Sequence, residues 1–437
     1  FENSIVVDAK SPYIMLTKIQ KQFQYSIIFP IKNEPLILLL VLPTMLMTMG
    51  MGMAAPLLPL LVKSYGLSTV MVGTVISSFA LARVFSNIPA GFLTQSKGAK
   101  LALILGGIFA GLGNLFIAFT DNYWSLIVCR FIAGIGTAMY ITSALTFVSQ
   151  IGEDAFRGRL MTIYQASFLF GMALGPLSGG FITNIFDLKA PFIFIAVISI
   201  CSSIWCVLRI PSYVGKINTI QNSENKKPTR KLDYLKLLKN QSFLAISTIQ
   251  ISVFFTRGSA LFLLFPILAS EKFLLKPGYV GMLFTIPQLS NFSTQPFVAM
   301  LVDRLGRKSL LIPAMTLFCS SLFISAISFH IYIFIIALIF YGIAQAIVAP
   351  VANAYIADMS APEERAVTYG AFRTFADLGI VFGAPIIGKI TDIFTVETAL
   401  LGNSIFLAIA ALLFAIIAKE KKIMQTNNLL KDTTNDK

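Results

Sequence analysis

One histidine, four cysteines and two tryptophans occur among 437 residues, and only 12% of the chain is charged. A single histidine excludes the multi-histidine sites that hold zinc or non-haem iron. Cysteines 129, 201, 206 and 319 all fall inside apolar runs, where a thiol behaves as a small apolar group, so neither a disulfide framework nor a metal-ligand spacing is implied. No Gly-x-x-x-x-Gly-Lys-Ser/Thr loop is present, which argues against direct use of ATP. The acidic residues, serines and cysteines form no nucleophile, base or metal set with His330, so an enzyme is not expected. His330 itself sits in a short turn and reads as a surface residue.

What the chain has instead is apolar length: 56% of it is hydrophobic, with 38 phenylalanines and a mean hydropathy of +0.79. Water-soluble domains are not that apolar. A membrane span needs about 20 mostly apolar residues, and twelve such runs are present, at 36–62, 69–93, 101–120, 124–151, 159–184, 190–210, 243–270, 277–301, 309–329, 331–358, 367–391 and 397–418. The longest polar break, 211–242, contains Asn222-Ser223-Glu224-Asn225-Lys226-Lys227-Pro228 and reads as a linker. The expected organisation is an N-terminal segment 1–35, a six-helix half 36–210, the linker 211–242, a second six-helix half 243–418 and a tail 419–437. The chain opens on Phe1 rather than Met. Residues 1–35 are too polar for a span and too long before the first apolar run for a simple signal peptide.

The two halves repeat at an offset of 208. Gly73, Gly98, Gly134 and Arg157 recur as Gly281, Gly306, Gly342 and Arg365, and Gly171, Gly175 and Gly180 recur as Gly379, Gly383 and Gly388. Ile182-Thr183-Asn184-Ile185-Phe186 returns as Ile390-Thr391-Asp392-Ile393-Phe394. A duplicated membrane bundle with six spans per copy predicts halves related by an axis along the membrane normal.

The formal charge of +14 follows from orientation. Of the 34 Lys and Arg, 25 fall in the tails, the linker with Arg209, and the loops after spans two, four, eight and ten, against 5 on the opposite face. That bias makes the richer face cytoplasmic and puts both termini there. The basic residues show no folded patch with interleaved aromatics, so nucleic acid is not a partner.

Several segments resemble one family. Leu301-Val302-Asp303-Arg304-Leu305-Gly306-Arg307-Lys308 resembles the Asp-Arg-x-Gly-Arg-Arg loop signature of the major facilitator superfamily. The first-half counterpart, Leu93-Thr94-Gln95-Ser96-Lys97-Gly98-Ala99-Lys100, keeps the glycine but has Gln95 where the family usually has Asp. Arg130-Phe131-Ile132-Ala133-Gly134-Ile135-Gly136 is similar to the family's Arg-x-x-x-Gly-x-Gly element. Gly171-Met172-Ala173-Leu174-Gly175-Pro176-Leu177-Ser178-Gly179-Gly180 resembles the span-five motif of its drug:proton antiporters, with Thr162 where a further glycine is usual. The resemblance implies an all-α membrane protein of twelve transmembrane helices in two repeated six-helix bundles. It also implies a central cavity, alternating access and an ion gradient as the energy source.

The residues carry physical expectations of their own. Gly98 and Gly306 suit tight reversals needing positive φ. Asp303 is placed to face a positive helix N-terminus. With Gln95, Gly98, Gly306 and Arg307 it forms the expected cytoplasmic latch, whose basic residues also serve topology. Gly171, Gly175 and Gly179 share a face that admits another helix, expected as a contact between halves, with Gly180 beside it, and Pro176 bends the span. Five ions lie deep within spans: Arg83, Arg130, Arg257, Arg373 and Asp377. Each costs about 2.5–3.5 kcal/mol or more to insert, so they are expected to line a substrate and ion pathway. Arg373 and Asp377, four apart, either neutralise each other or carry function.

Two transport readings follow: proton-coupled efflux of a drug-like or metabolite solute, and transport of an anionic metabolite by an arginine-rich cavity. A third reading is a receptor or enzyme on the same scaffold, against which the tails and linker are too short for an added soluble domain. The expected partners are a small-molecule substrate, protons and the lipid bilayer of a plasma or bacterial inner membrane. No cofactor is expected, and a monomer is.

Overall fold

The computed structural model describes residues 34–151, 154–211, 240–359 and 365–417. Most of the N-terminal segment and the linker, and the C-terminal tail, lie outside these. The first half of the chain forms α1 Leu36–Ser64, α2 Thr69–Lys97, α3 Ala99–Phe119, α4 Tyr123–Gln150, α5 Asp154–Ile185 and α6 Ala190–Arg209. In the second half α7 covers Gln241–Glu271. The next helix, α8, is in two pieces, Pro277–Leu283 and Thr285–Leu305. It is followed by α9 Arg307–Ile327, α10 Ile331–Met359, α11 Arg365–Ile393 and α12 Val396–Ile417. No strand occurs among the described residues, as lipid requires of a chain that must satisfy its backbone within each segment.

Eleven of these helices are long and apolar enough to cross a membrane. The twelfth expected span, α8, breaks at Phe284 and then carries Gln288, Ser290, Asn291, Ser293, Thr294 and Gln295, which lower its hydropathy. Helix starts are capped locally. Asn122 accepts from the N–H groups of Trp124 and Ser125 at the head of α4, and Asn240 accepts from Ser242 and Phe243 at the head of α7. Gly98 and Gly306 precede α3 and α9 with φ of 94° and 82°, a conformation that a side chain would strain.

The repeat is realised in packing. The pair α1–α5 is matched by α7–α11, α3–α4 by α9–α10, and α3–α6 by α9–α12. A Cβ on Gly134 would strike the carbonyl of Phe79 and the side chain of Ala82; on Gly342 it would strike the carbonyl of Pro287 and the side chain of Ser290. Residues 79 and 82 become 287 and 290 under the same 208-residue offset, so the glycines mark equivalent helix crossings.

Packing divides the described chain into two compact units. The first holds residues from 34 to 211 except 68–73, and adds 275–285; the second holds 240–274 and 286–417, and adds 68–73. Each repeat therefore lends the opening of one helix, α2 or α8, to the other unit. In the first unit, buried polar groups join helices: Thr94 Oγ1 and Ser143 Oγ lie 2.7 Å apart, and Trp205 Nε1 donates to the Leu39 carbonyl at 2.9 Å. In the second, α12 leaves Ile405, Ile409, Leu412 and Ile416 exposed, a stripe suited to lipid tails.

Candidate functional site

The charges expected in the pathway occupy different environments. In the first unit Arg130 is only 8% exposed, with its guanidinium 4.4 Å from the ring centroid of Phe79 on α2. The close crossing at Gly134 brings the two helices together there. Among the described residues Arg130 forms no ion pair, and its Nε has no hydrogen-bond acceptor. A π face stabilises a cation without neutralising it, so the site keeps its positive charge. Arg83 is half-buried and follows Phe79 by one turn of α2.

In the second unit, α7 changes its winding where its charge lies. Gln241–Thr256 is α-helical, Arg257–Leu264 is π-helical, and Phe265–Glu271 is α-helical again. The wider π turn carries residue i+5 towards the face of residue i. The Arg257 guanidinium accordingly lies 5.8 Å from the Phe254 ring and 5.5 Å from Phe262. The other side of the segment is fixed by a buried chain of hydrogen bonds. Thr256 Oγ1 donates to Asn403 Oδ1 (3.0 Å), Asn403 Nδ2 donates to Ser259 Oγ (2.7 Å), and Ser259 Oγ donates to the Phe255 carbonyl (2.7 Å).

Across from α7, Tyr341 and Gln345 of α10 are 0% and 8% exposed. Neither the tyrosine Oη nor the glutamine Oε1 has a partner among the described residues. Sequence reasoning missed both; the available signal was two hydrogen-bonding side chains four apart in an otherwise apolar run. Arg373 and Asp377 stand one turn apart on α11, the first exposed and the second 1% exposed. The faces of Gly379 and Gly383 press α11 onto the backbone of Ile251 and Phe255 of α7, so this carboxylate belongs to the same tightly packed helix pair as Arg257.

Most of the span-five motif packs differently from the expected contact between halves. Gly171, Gly175 and Gly179 face Met45, Thr48, Met49 and Met53 of α1, a helix of the same half, because the matching crossing of small residues lies there, at Gly52. Gly180, one position round the helix, meets Gly278 and Met282 at the opening of α8 in the first unit. Pro176 lies within the continuous α5. Of the expected latch, Gln95 is exposed and the Asp303 side chain lies outside the described residues. Arg307 pairs at 3.0 Å with Asp358 near the end of α10, within the second unit.

Repeated six-helix sets, broken or rewound helices and ions buried within spans define a membrane transport scaffold. The sequence model of the Major Facilitator Superfamily matches residues 40–273 and 246–432, and the chain belongs to that family. It is a multi-pass membrane transporter, not an enzyme. It is 24% identical over 385 residues to an uncharacterised transporter of this type from Methanocaldococcus jannaschii, covering 86% of this chain and 96% of that protein. It is also 23% identical over 379 residues to multidrug resistance protein 2 of Bacillus subtilis, covering 86% and 92%. Among solved structures, a bacterial homologue of the human lysosomal transporter Spinster, inward-facing and unoccupied, superposes with a TM-score of 0.76 at 13% identity, covering 87% of this chain and 96% of that one. A D-xylose–proton symporter gives 0.71 at 16% identity, covering 88% and 98%. The multidrug resistance relative supports the drug:proton antiporter-like branch, and the solved structures support the fold alone.

Proposed function

We propose that the chain exports a small drug-like or metabolite solute in exchange for protons, with both termini in the cytoplasm of a cell whose plasma or inner membrane it spans. The observation that carries this reading is Asp377, a carboxylate 1% exposed in the middle of α11. An ionisable group at that depth is retained at a cost that structure alone does not require. A carboxyl closed off in one state and wetted in another takes a proton from one side and releases it to the other. The similarity to multidrug resistance and efflux proteins of Bacillus subtilis supports efflux. The test is purified protein in vesicles with an imposed pH gradient and a panel of solutes: solute movement that collapses with the gradient supports the reading, and movement indifferent to it refutes the coupling.

A second reading, transport of an anionic solute, is favoured by Arg130. A buried cation held only by the Phe79 ring among the described residues is available to a mobile anion. Uptake of labelled organic anions by the same vesicles separates the two.

A further inference from the structure

The packing of α3 on α6 brings basic side chains of both helices to one end of the first unit. Ser203 Oγ donates to the Ile104 carbonyl at 3.0 Å; further along, Gly107 abuts Ser199 and Ser203, and Gly111 abuts Ala196 and Ile200. As the number rises along α3 it falls along α6, so the helices are antiparallel and the start of α3 lies beside the end of α6. Lys100, one turn before Ile104, is close enough to Cys206 to act on it electrostatically. Arg209, about one turn beyond Cys206, is exposed and holds its guanidinium 5.7 Å from the centroid of the Trp205 ring. That ring is itself anchored, since its N–H donates to the Leu39 carbonyl of α1.

Among the described residues neither Lys100 nor Arg209 forms an ion pair. The matching end of the second unit is built differently. The 208-residue offset carries through α6 and α12, because Gly111 abuts the Ala196 carbonyl and their equivalents, Cys319 and Ser404, are hydrogen-bonded at 3.0 Å. Under that offset Lys100 becomes Lys308, but Trp205 and Arg209 become Leu413 and Ile417, and Gln150 becomes Asp358, which pairs with Arg307 beside Lys308. The second unit thus supplies a carboxylate where the first has none, and it lacks the ring and the guanidinium. Membrane orientation needs only positive charge on one face. It does not need a guanidinium set over a ring that is tied to a neighbouring helix. From Arg209 an exposed apolar stripe runs back along α6 through Leu208, Ile204, Cys201 and Val197, a path for an acyl chain.

We propose that Arg209, Lys100 and the Trp205 ring form a site for the headgroup of an anionic phospholipid, present on the first half of the protein only. The phosphodiester oxygens take charge-assisted hydrogen bonds from the guanidinium and the ammonium. The indole ring packs against the glycerol and the first acyl carbons, at the interfacial depth that tryptophan favours, and one acyl chain follows the stripe on α6. A soluble anion would use the two charges and leave the ring and the stripe unmatched. The site lies apart from the charges assigned to the solute pathway and does not depend on which solute is carried.

The chain has two tryptophans, and Trp124 is 72% exposed at the head of α4, a full helix length from Trp205. Trp124→Phe therefore leaves a full-length protein whose fluorescence reports this site alone. It is reconstituted into phosphatidylcholine vesicles containing a minor fraction of either brominated phosphatidylglycerol, which is anionic, or brominated phosphatidylcholine, which is not; bromine on the acyl chain quenches the indole on contact. At equal mole fraction the anionic lipid should win by more than about fivefold in apparent affinity, the factor that one cation contributes near an anionic headgroup. In the same background Arg209→Gln and Lys100→Gln should each reduce the preference by about fivefold, while Lys308→Gln, the counterpart in the second half, should leave it unchanged. Unchanged emission maxima and unfolding temperatures in lipid-free detergent show that the variants are folded. Equal quenching by the two lipids in the Trp124→Phe protein itself would overturn the proposal whatever the variants do. So would an equal loss of preference in Lys308→Gln, which would mean that diffuse charge attracts the lipid, and so would displacement of the anionic lipid by inorganic phosphate, which would mean a site for a soluble anion.

Discussion

The carboxylate of Asp392, at the end of α11, accepts a hydrogen bond from the backbone N–H of Thr69 at 2.8 Å, and its second oxygen accepts from Val70 at 2.9 Å. The opening of α2 thus takes its cap from a residue more than 300 positions away, within the second unit. Two of the amides left unbonded at a helix start are satisfied, and the negative charge sits at the positive end of the helix. In the repeat, Asn184, equivalent to Asp392, lies against Gly278, equivalent to Val70.

Asp392→Ala should therefore destabilise the protein by about 1–2 kcal/mol, in the range of a lost cap. Asp392→Asn, which keeps one acceptor, should fall between. Thermal unfolding of the purified variants checks the order, and equal unfolding temperatures for all three proteins would show that the contact holds nothing.

The glycines of α5 make a graded series. A Cβ at Gly175 meets the backbone of α1 at Met49, Gly52 and Met53, whereas at Gly179 it meets only the side chains of Leu57 and Met53. Backbone cannot give way and a methionine can. Gly175→Ala should lower stability more than Gly179→Ala, and Gly175→Leu should abolish transport while leaving membrane insertion intact, since insertion depends on hydropathy. Gly402 of α12 has open space around it, so Gly402→Ala should stabilise by up to about 1 kcal/mol through helix propensity. Unfolding temperatures and membrane-fraction yields give the comparison.

The hydrogen-bonded chain from Thr256 through Asn403 to Ser259 should be cooperative. Asn403→Ala strands the fully buried Thr256 hydroxyl and should cost about 2–3 kcal/mol. Adding Thr256→Val should recover roughly 1 kcal/mol of that loss by removing the stranded donor. Additive losses in the double variant would mean that the two residues act independently.

The helices, the repeat and the positive-φ turns at Gly98 and Gly306 were legible because they follow from hydropathy, self-similarity and backbone sterics, all of which act locally. Partner choice was not. The small face of α5 was recognisable from the spacing of Gly171, Gly175 and Gly179, but hydropathy reports only that a helix prefers lipid to water, so α1 could not be singled out as the helix it meets. The π turn at Arg257 leaves no mark in an apolar run, because a one-residue change of winding hardly alters average hydropathy. The caps supplied by Asp392 and the loan of 68–73 and 275–285 between units depend on contacts hundreds of residues apart. The sequence placed all five charged candidates within helices, as the structure does. It did not distinguish exposed Arg373 from buried Asp377, nor find the buried polar groups Tyr341 and Gln345 of α10.

Proton coupling through α11 is the central claim, and gradient-driven solute accumulation by Asp377→Asn in vesicles, set against solute exchange without a gradient, tests it most directly. Neutralising the buried carboxylate should abolish accumulation and leave exchange near the parent rate, because the solute pathway remains while the proton has no carrier. Full pH-driven accumulation by the Asp377→Asn protein would contradict the account and leave the arginine-bearing helices, with an anionic solute, as the basis of transport.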